Sequence, residues 1–213
     1  YRDKVQRVYQ ELEDAGIAYE AKLVHGSYFE VGNFRDQPLD PGEITLETAL
    51  IRAQDDGAFI HTNSWGDDNT TNYTLWARDI DQFSWDNPDS LVIFASTNGS
   101  TLKTPENAKN VLAVGATWQT PSQDRVSSGG RGPTDDGRRK PEIFAPGRGI
   151  VSGASTFGGP CRTTSLSGTS MACPAIAGAA ALARQYYTEG WYPSGEANPG
   201  DSFVPTGALL KAT

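Results

Sequence analysis

The chain has 213 residues, is 37% hydrophobic and carries a formal net charge of -8, so it can bury one sizeable core and reads as a single globular domain. The acidic balance argues against nucleic acid or an anionic membrane as a partner, since either favours a basic patch. No apolar run approaches the length of a membrane span and no signal-peptide core precedes the first expected helix, which is the pattern of a soluble chain without its targeting segment.

In chain order, Val5, Val8 and Leu12 fall at helical spacing over 3–14, and Gly16 ends that helix. Residues 21–24 read as a strand. Leu46, Ala49, Leu50 and Ala53 repeat the helical spacing over 45–55, and 58–62 form a short strand running into Asn63-Ser64-Trp65-Gly66. A helix over 75–83 leads to a strand over 91–95, and 111–114 give one more strand. Both of these strands are apolar at every position, as strands buried on both faces are. Alternating strands and helices imply an α/β fold, a three-layer parallel sheet flanked by helices. Ligands of such sheets bind outside the carboxyl ends of the strands. The loops Asn63-Ser64-Trp65-Gly66 and Ser96-Thr97-Asn98-Gly99-Ser100 should therefore emerge at one edge.

Gly168-Thr169-Ser170-Met171-Ala172-Cys173-Pro174 places one hydroxyl where a glycine turn becomes a helix that continues through Ala183. A serine in a first helical turn has free backbone N–H groups and the positive dipole end beside it, which suits a developing oxyanion. The same residues also suit an N-cap ahead of an alanine-rich core helix. Pro174 is tolerable as part of the first turn. Cys161 and Cys173 are too few for a disulfide scaffold or a four-ligand zinc site; they pair with each other or are small buried residues, and packing is the preferred reading for Cys173.

Three motifs carry a family resemblance. Residues 168–174 resemble the serine motif of the subtilisin-like serine peptidases, the subtilases. Phe94-Ala95-Ser96-Thr97-Asn98-Gly99 is similar to their oxyanion-asparagine loop, and His61-Thr62-Asn63-Ser64-Trp65-Gly66 is similar to their substrate-edge segment. The motifs occur in family order, and the wording is most like that of the large alkaline bacterial subtilases. The region holding Ser127-Ser128-Gly129-Gly130, Lys140-Pro141-Glu142 and Ala145-Pro146-Gly147 resembles the long stretch before the family's nucleophile. The resemblance runs over about 21–212 and implies a partial subtilisin-like domain over 1–213, in which 1–20 are a helix and lead-in and 21–213 the sheet core. It resembles the carboxyl-terminal part of the catalytic domain.

What the resemblance implies is peptide-bond hydrolysis through an acyl-enzyme, with Ser170 as nucleophile and Asn98 as oxyanion donor. Ser64, Trp65 and Gly66 would offer an edge to the substrate main chain, and Ala95, Ser96 and Thr97 would floor the pocket for the residue before the scissile bond. Thr97 stands where the family usually has glycine, so its side chain is expected to narrow or reshape that pocket. No cofactor is required for the chemistry, and the resemblance leaves structural calcium open. Asp67-Asp68 and Asp135-Asp136 could bind it, but they read first as solvated loop charges. The expected partners are a protein or peptide substrate and a missing amino-terminal part of the same domain.

A serine hydroxyl needs a base, and the family supplies a histidine oriented by an aspartate, both earlier in the chain. Only His25 and His61 are present. His61 lies in a strand, where the resemblance gives it a structural part. His25 is followed by Tyr28-Phe29-Glu30-Val31, bulky where the family's histidine helix needs small residues, and residues 16–24 resemble the segment that follows the catalytic histidine. Neither Asp3 nor Asp14 sits in the family's apolar aspartate strand. The catalytic Asp and His are therefore expected outside this chain. The competing readings are a degenerate, inactive module that binds peptides or has a structural role, or a truncated product. Retention of both Ser170 and Asn98 favours the protease. An α/β-hydrolase is disfavoured by Ala172 where Gly-x-Ser-x-Gly needs glycine, and no phosphate-loop pattern is present. Asn69, Asn72 and Asn98 head glycosylation sequons, and a glycan on Asn98 would block its amide, so a secreted bacterial origin is expected.

Overall fold

The computed structural model describes residues 16–24, 45–154 and 162–213. Among these the elements run α1 (Leu46–Asp55), β1 (Ile60–Asn63), α2 (Leu75–Asp86), β2 (Leu91–Ala95), β3 (Leu112–Thr117), β4 (Val126–Ser128), β5 (Ile143–Pro146), β6 (Ile150–Ala154), β7 (Arg162–Leu166), α3 (Thr169–Thr188), a 3-10 turn (Pro199–Asp201) and α4 (Gly207–Ala212). The helix expected over 3–14, His25 and Cys161 lie outside the described residues.

β1, β2 and β3 pair in parallel, with Ile60 opposite Leu91 and Ile93 opposite Leu112. β5 runs parallel to β3 along residues 114–117, so β4, antiparallel to β3 at 116 and 117, follows β2 along the other edge. β6 and β7 form a separate antiparallel ribbon.

Strand alternation sorts the sheet's side chains onto two faces. Leu91, Ile93, Ala95, Leu112, Val114 and Ala116 pack with Ala172, Cys173 and Ala180 of α3. Val92, Phe94 and Ala113 pack with Leu46 and Leu50 of α1 and Ala77, Ile80 and Phe83 of α2. The result is the expected α/β arrangement, a mostly parallel sheet with helices on both faces. Thr45 caps α1, its hydroxyl accepting the Thr48 N–H at 3.1 Å.

Two local expectations fail. Residues 21–24 form no strand; all are exposed, Leu23 to 91%, with no ladder partner among the described residues. Pro174 is not in the first turn of α3, because the helix begins at Thr169 and Pro174 is inside it. A proline there removes the N–H that would have bonded the carbonyl of Ser170, four residues earlier.

Candidate active site

The loops after β1 and β2 and the start of α3 meet at the carboxyl end of the sheet, and they line a cavity of about 230 Å³. All the residues singled out for substrate and chemistry border it: Ser64, Trp65 and Gly66, then Ala95, Ser96, Thr97 and Asn98, and finally Ser170.

Ser170 reaches this edge because the chain turns abruptly in front of it. Gly168, with φ of 151°, lies where a Cβ is disfavoured. Its N–H donates to the Gly147 carbonyl at 2.7 Å, and its own carbonyl accepts the Met171 N–H at 3.1 Å. Gly147 is tightly enclosed: a Cβ there would stand 2.6 Å from the Gly168 oxygen and 2.7 Å from Ala116 Cβ. The turn that carries Ser170 thus rests directly on the β5 exit. Cys173, one turn along α3, anchors the helix to β1 by donating its thiol to the Asn63 carbonyl at 3.4 Å. Burial pushes that thiol's pKa up, so it is a packing residue rather than a nucleophile.

The carbonyl left free by Pro174 is met from the neighbouring loop, where the Ser64 hydroxyl donates to Ser170 O at 3.3 Å. This contact ties the segment after β1 to the turn that carries Ser170. Trp65 is held edge-on against Trp76 at 5.4 Å and Phe94 at 5.2 Å between ring centres, so the Ser64–Gly66 backbone is carried by the core beneath it.

Asn98 is oriented by α3 itself. Its Oδ1 accepts the Thr169 N–H at 3.0 Å and the Thr169 hydroxyl at 3.2 Å. Because a backbone N–H can only donate, the amide oxygen must face the helix, which leaves Nδ2 without a partner among the described residues and available to a ligand. Thr97 lines the cavity with its methyl turned toward Gly130, where a Cβ would stand 2.6 Å from Thr97 Cγ2. The bulk absent from the family's glycine is thus partly taken up beside a residue with no side chain.

The Ser170 hydroxyl makes no hydrogen bond among the described residues, and His61 does not face it. Ile60 packs with the α3 cluster, so its strand neighbour His61 points to the other face, edge-on to Phe83 of α2 at 5.2 Å. Burial lowers the His61 pKa to about 4, and Nε2 has no partner among the described residues. The ring is a neutral core group.

Two carboxylates not singled out for this cavity also border it, Glu106 and Asp68. Glu106 lies in the β2–β3 connection, where the sequence Thr-Pro-Glu-Asn looks like any polar loop. Only the fold tucks it inward, to 2% exposure. Of the acidic pairs, Asp67 accepts the Asn69 N–H at 2.9 Å, and Asp136 is paired with Arg138 at 2.9 Å, which holds its carboxyl down to about 2. Among the described residues no group of His, Cys, Asp and Glu side chains could hold a metal ion, and no helix is long and apolar enough to cross a membrane.

Comparison with known proteins bears on the family and the fold. Residues 11–197 match the model of the Subtilase family. The chain is 26% identical over 294 residues to "Serine protease/ABC transporter B family protein tagD" of Dictyostelium discoideum, covering 93% of this chain and 16% of that protein. It is 30% identical over 176 residues to "Subtilisin-like protease SBT4.8" of Arabidopsis thaliana, covering 78% and 23%. The chain thus spans less than a quarter of either relative. Among solved structures, that of the prenylagaramide maturation protease PagA superposes with a TM-score of 0.55 at 27% identity, covering 78% of this chain and 62% of that one.

Proposed function

This chain belongs to the subtilase family, and from that premise we propose that it is a serine endopeptidase domain that cleaves peptide bonds through an acyl-enzyme. Ser170 Oγ attacks the scissile carbonyl while its proton passes to a base. The oxyanion is held by Asn98 Nδ2 and the Ser170 N–H at the positive end of α3. Collapse breaks the C–N bond and returns the proton to the leaving amine, and water then releases the acyl group by the same steps. The observation that carries this reading is the anchoring of Asn98 Oδ1 by Thr169, which leaves its amide N–H groups free beside Ser170. Ser64–Gly66 is the edge along which the substrate main chain lies. The substrate is a protein or peptide met outside the cell, and an Asn98 sequon that must stay unmodified suits a bacterial origin.

The base is not His61, which is buried on the far face of the sheet. We place the catalytic Asp and His outside this chain, so the chain by itself hydrolyses peptides poorly or not at all. Reaction with a fluorophosphonate, mapped by mass spectrometry, tests this: little or slow labelling of Ser170 is expected, and rapid labelling in the chain alone would overturn the missing base.

A further inference from the structure

The cavity beside Ser170 ends on an acid. One oxygen of the buried Glu106, Oε1, accepts the Thr97 N–H at 3.0 Å and the Lys103 N–H at 2.9 Å. Those bonds fix the side chain to the same loop that carries Asn98. The other oxygen, Oε2, makes no hydrogen bond among the described residues and stands 3.6 Å from where a Cβ on Gly66 would lie, so it faces the substrate edge. No cation among the described residues neutralises it. The ion pairs of the described residues join Arg78 to Asp79, Arg138 to Asp136, and Lys140 and Lys211 to Glu142, and none reaches Glu106 or Asp68.

A carboxylate buried without a countercharge is costly, and a ligand that brings the charge relieves the cost. Burial pushes the Glu106 carboxyl up, the backbone N–H groups of Thr97, Lys103 and Glu106 itself pull it back, and Asp68 pushes it up again. The exposed Asp68 itself lines the cavity and so adds its own negative charge there. A neutral apolar side chain would leave both acids unpaired, whereas an ammonium or guanidinium would meet them.

We propose that this cavity takes a lysine or arginine side chain immediately before the scissile bond, with Glu106 as the residue that selects it and Asp68 reinforcing it. This rests on the reading of the Ser170 cleft as a peptide site. It also gives Thr97 a use: its N–H fixes Glu106, while its methyl turns to Gly130 rather than blocking the cavity.

The test needs no turnover. N-acetylated tetrapeptides identical except for a carboxyl-terminal Lys, Arg, Gln or Leu mimic the acyl product, and their binding to this chain is measured by calorimetry. The Lys and Arg peptides are expected to bind at least tenfold more tightly than Gln or Leu. Glu106→Gln should bring all four within about threefold, with the Leu peptide unchanged. Asp68→Asn, at an exposed site, should lower the preference by a smaller factor and make it less sensitive to salt. If Glu106→Gln fails to fold, the wild-type ratio of Lys to Gln and the Asp68→Asn series decide. Tightest binding of Leu, or a Lys preference unchanged in Glu106→Gln, would overturn the assignment of Glu106 while leaving the peptide cleft intact. Binding of none of the four would overturn the cleft itself.

Discussion

Asn98→Ala and Asn98→Asp should part company in stability while agreeing in activity. In the native chain the Thr169 N–H and hydroxyl both donate to Asn98 Oδ1, and Thr169 is only 2% exposed. Alanine at 98 leaves that N–H buried and unpaired, at a cost of about 1–3 kcal/mol. For a chain of this size that lowers Tm by about 2–4 °C per kcal/mol, or about 2–12 °C in all. Aspartate keeps an acceptor for Thr169 and sets a negative charge at the start of α3, where the dipole favours it, so its Tm should match or exceed that of the native chain. Neither variant can donate to an oxyanion. Turnover, measured with the base supplied, should fall about 10²–10³-fold in both, a magnitude carried over from subtilisin itself. Thermal unfolding followed by circular dichroism separates the cases. If Asn98→Ala melts with the native protein, or Asn98→Asp melts as low as Asn98→Ala, the inferred amide orientation is wrong.

Two further predictions concern the scaffold. Gly147→Ala puts a methyl against the Gly168 carbonyl and Ala116; it should cost about 1–3 kcal/mol in denaturant unfolding, and it should weaken peptide binding because the Ser170 turn must move. Unchanged stability would mean that this contact relaxes freely. Lys140, with its side chain 2% exposed, has its pKa lowered to about 8 by burial. The unfolded state then binds more protons between pH 8 and the ordinary lysine value, so stability should rise with pH across that window. Below pH 8 the buried charge costs on the order of 3 kcal/mol, from ~1.4 kcal/mol per unit. Lys140→Met should be neutral or stabilising at pH 7, because Lys211 already bonds both Glu142 and the Val111 carbonyl, and its advantage over the native chain should shrink by pH 10. A strongly destabilised Lys140→Met at pH 7 would contradict this.

The strands that build the sheet were legible because burial on both faces leaves an unbroken apolar run: residues 91–95 are strand over their whole predicted length. The run at 111–114 extends to Thr117, since β4 and β5 offer partners that lie far along the chain. β6 and β7 escaped notice because their ribbon is largely exposed and Thr/Ser-rich in its second strand, with no core face to impose a pattern. Residues 21–24 carry Leu23 and Val24 yet form no strand, for pairing is decided by neighbours and not by composition. At the site, Ser170, Asn98 and Ser64 could be read from motifs. Glu106 could not, since its meaning depends on a loop folding back over the sheet edge. Nor could the link between Ser64 and the Ser170 carbonyl, which exists because Pro174 lies inside the helix and leaves that oxygen free.

The most direct measurement of Ser170 as a nucleophile awaiting its base is the rate of fluorophosphonate labelling, first in this chain alone and then with an upstream segment bearing an Asp and a His. Slow labelling alone, and rapid labelling confined to Ser170 once the segment is supplied, is the expected result. Rapid labelling of the chain alone, labelling that survives Ser170→Ala, or no labelling even with the segment present would contradict it, the last pointing to a module that binds peptides without cutting them.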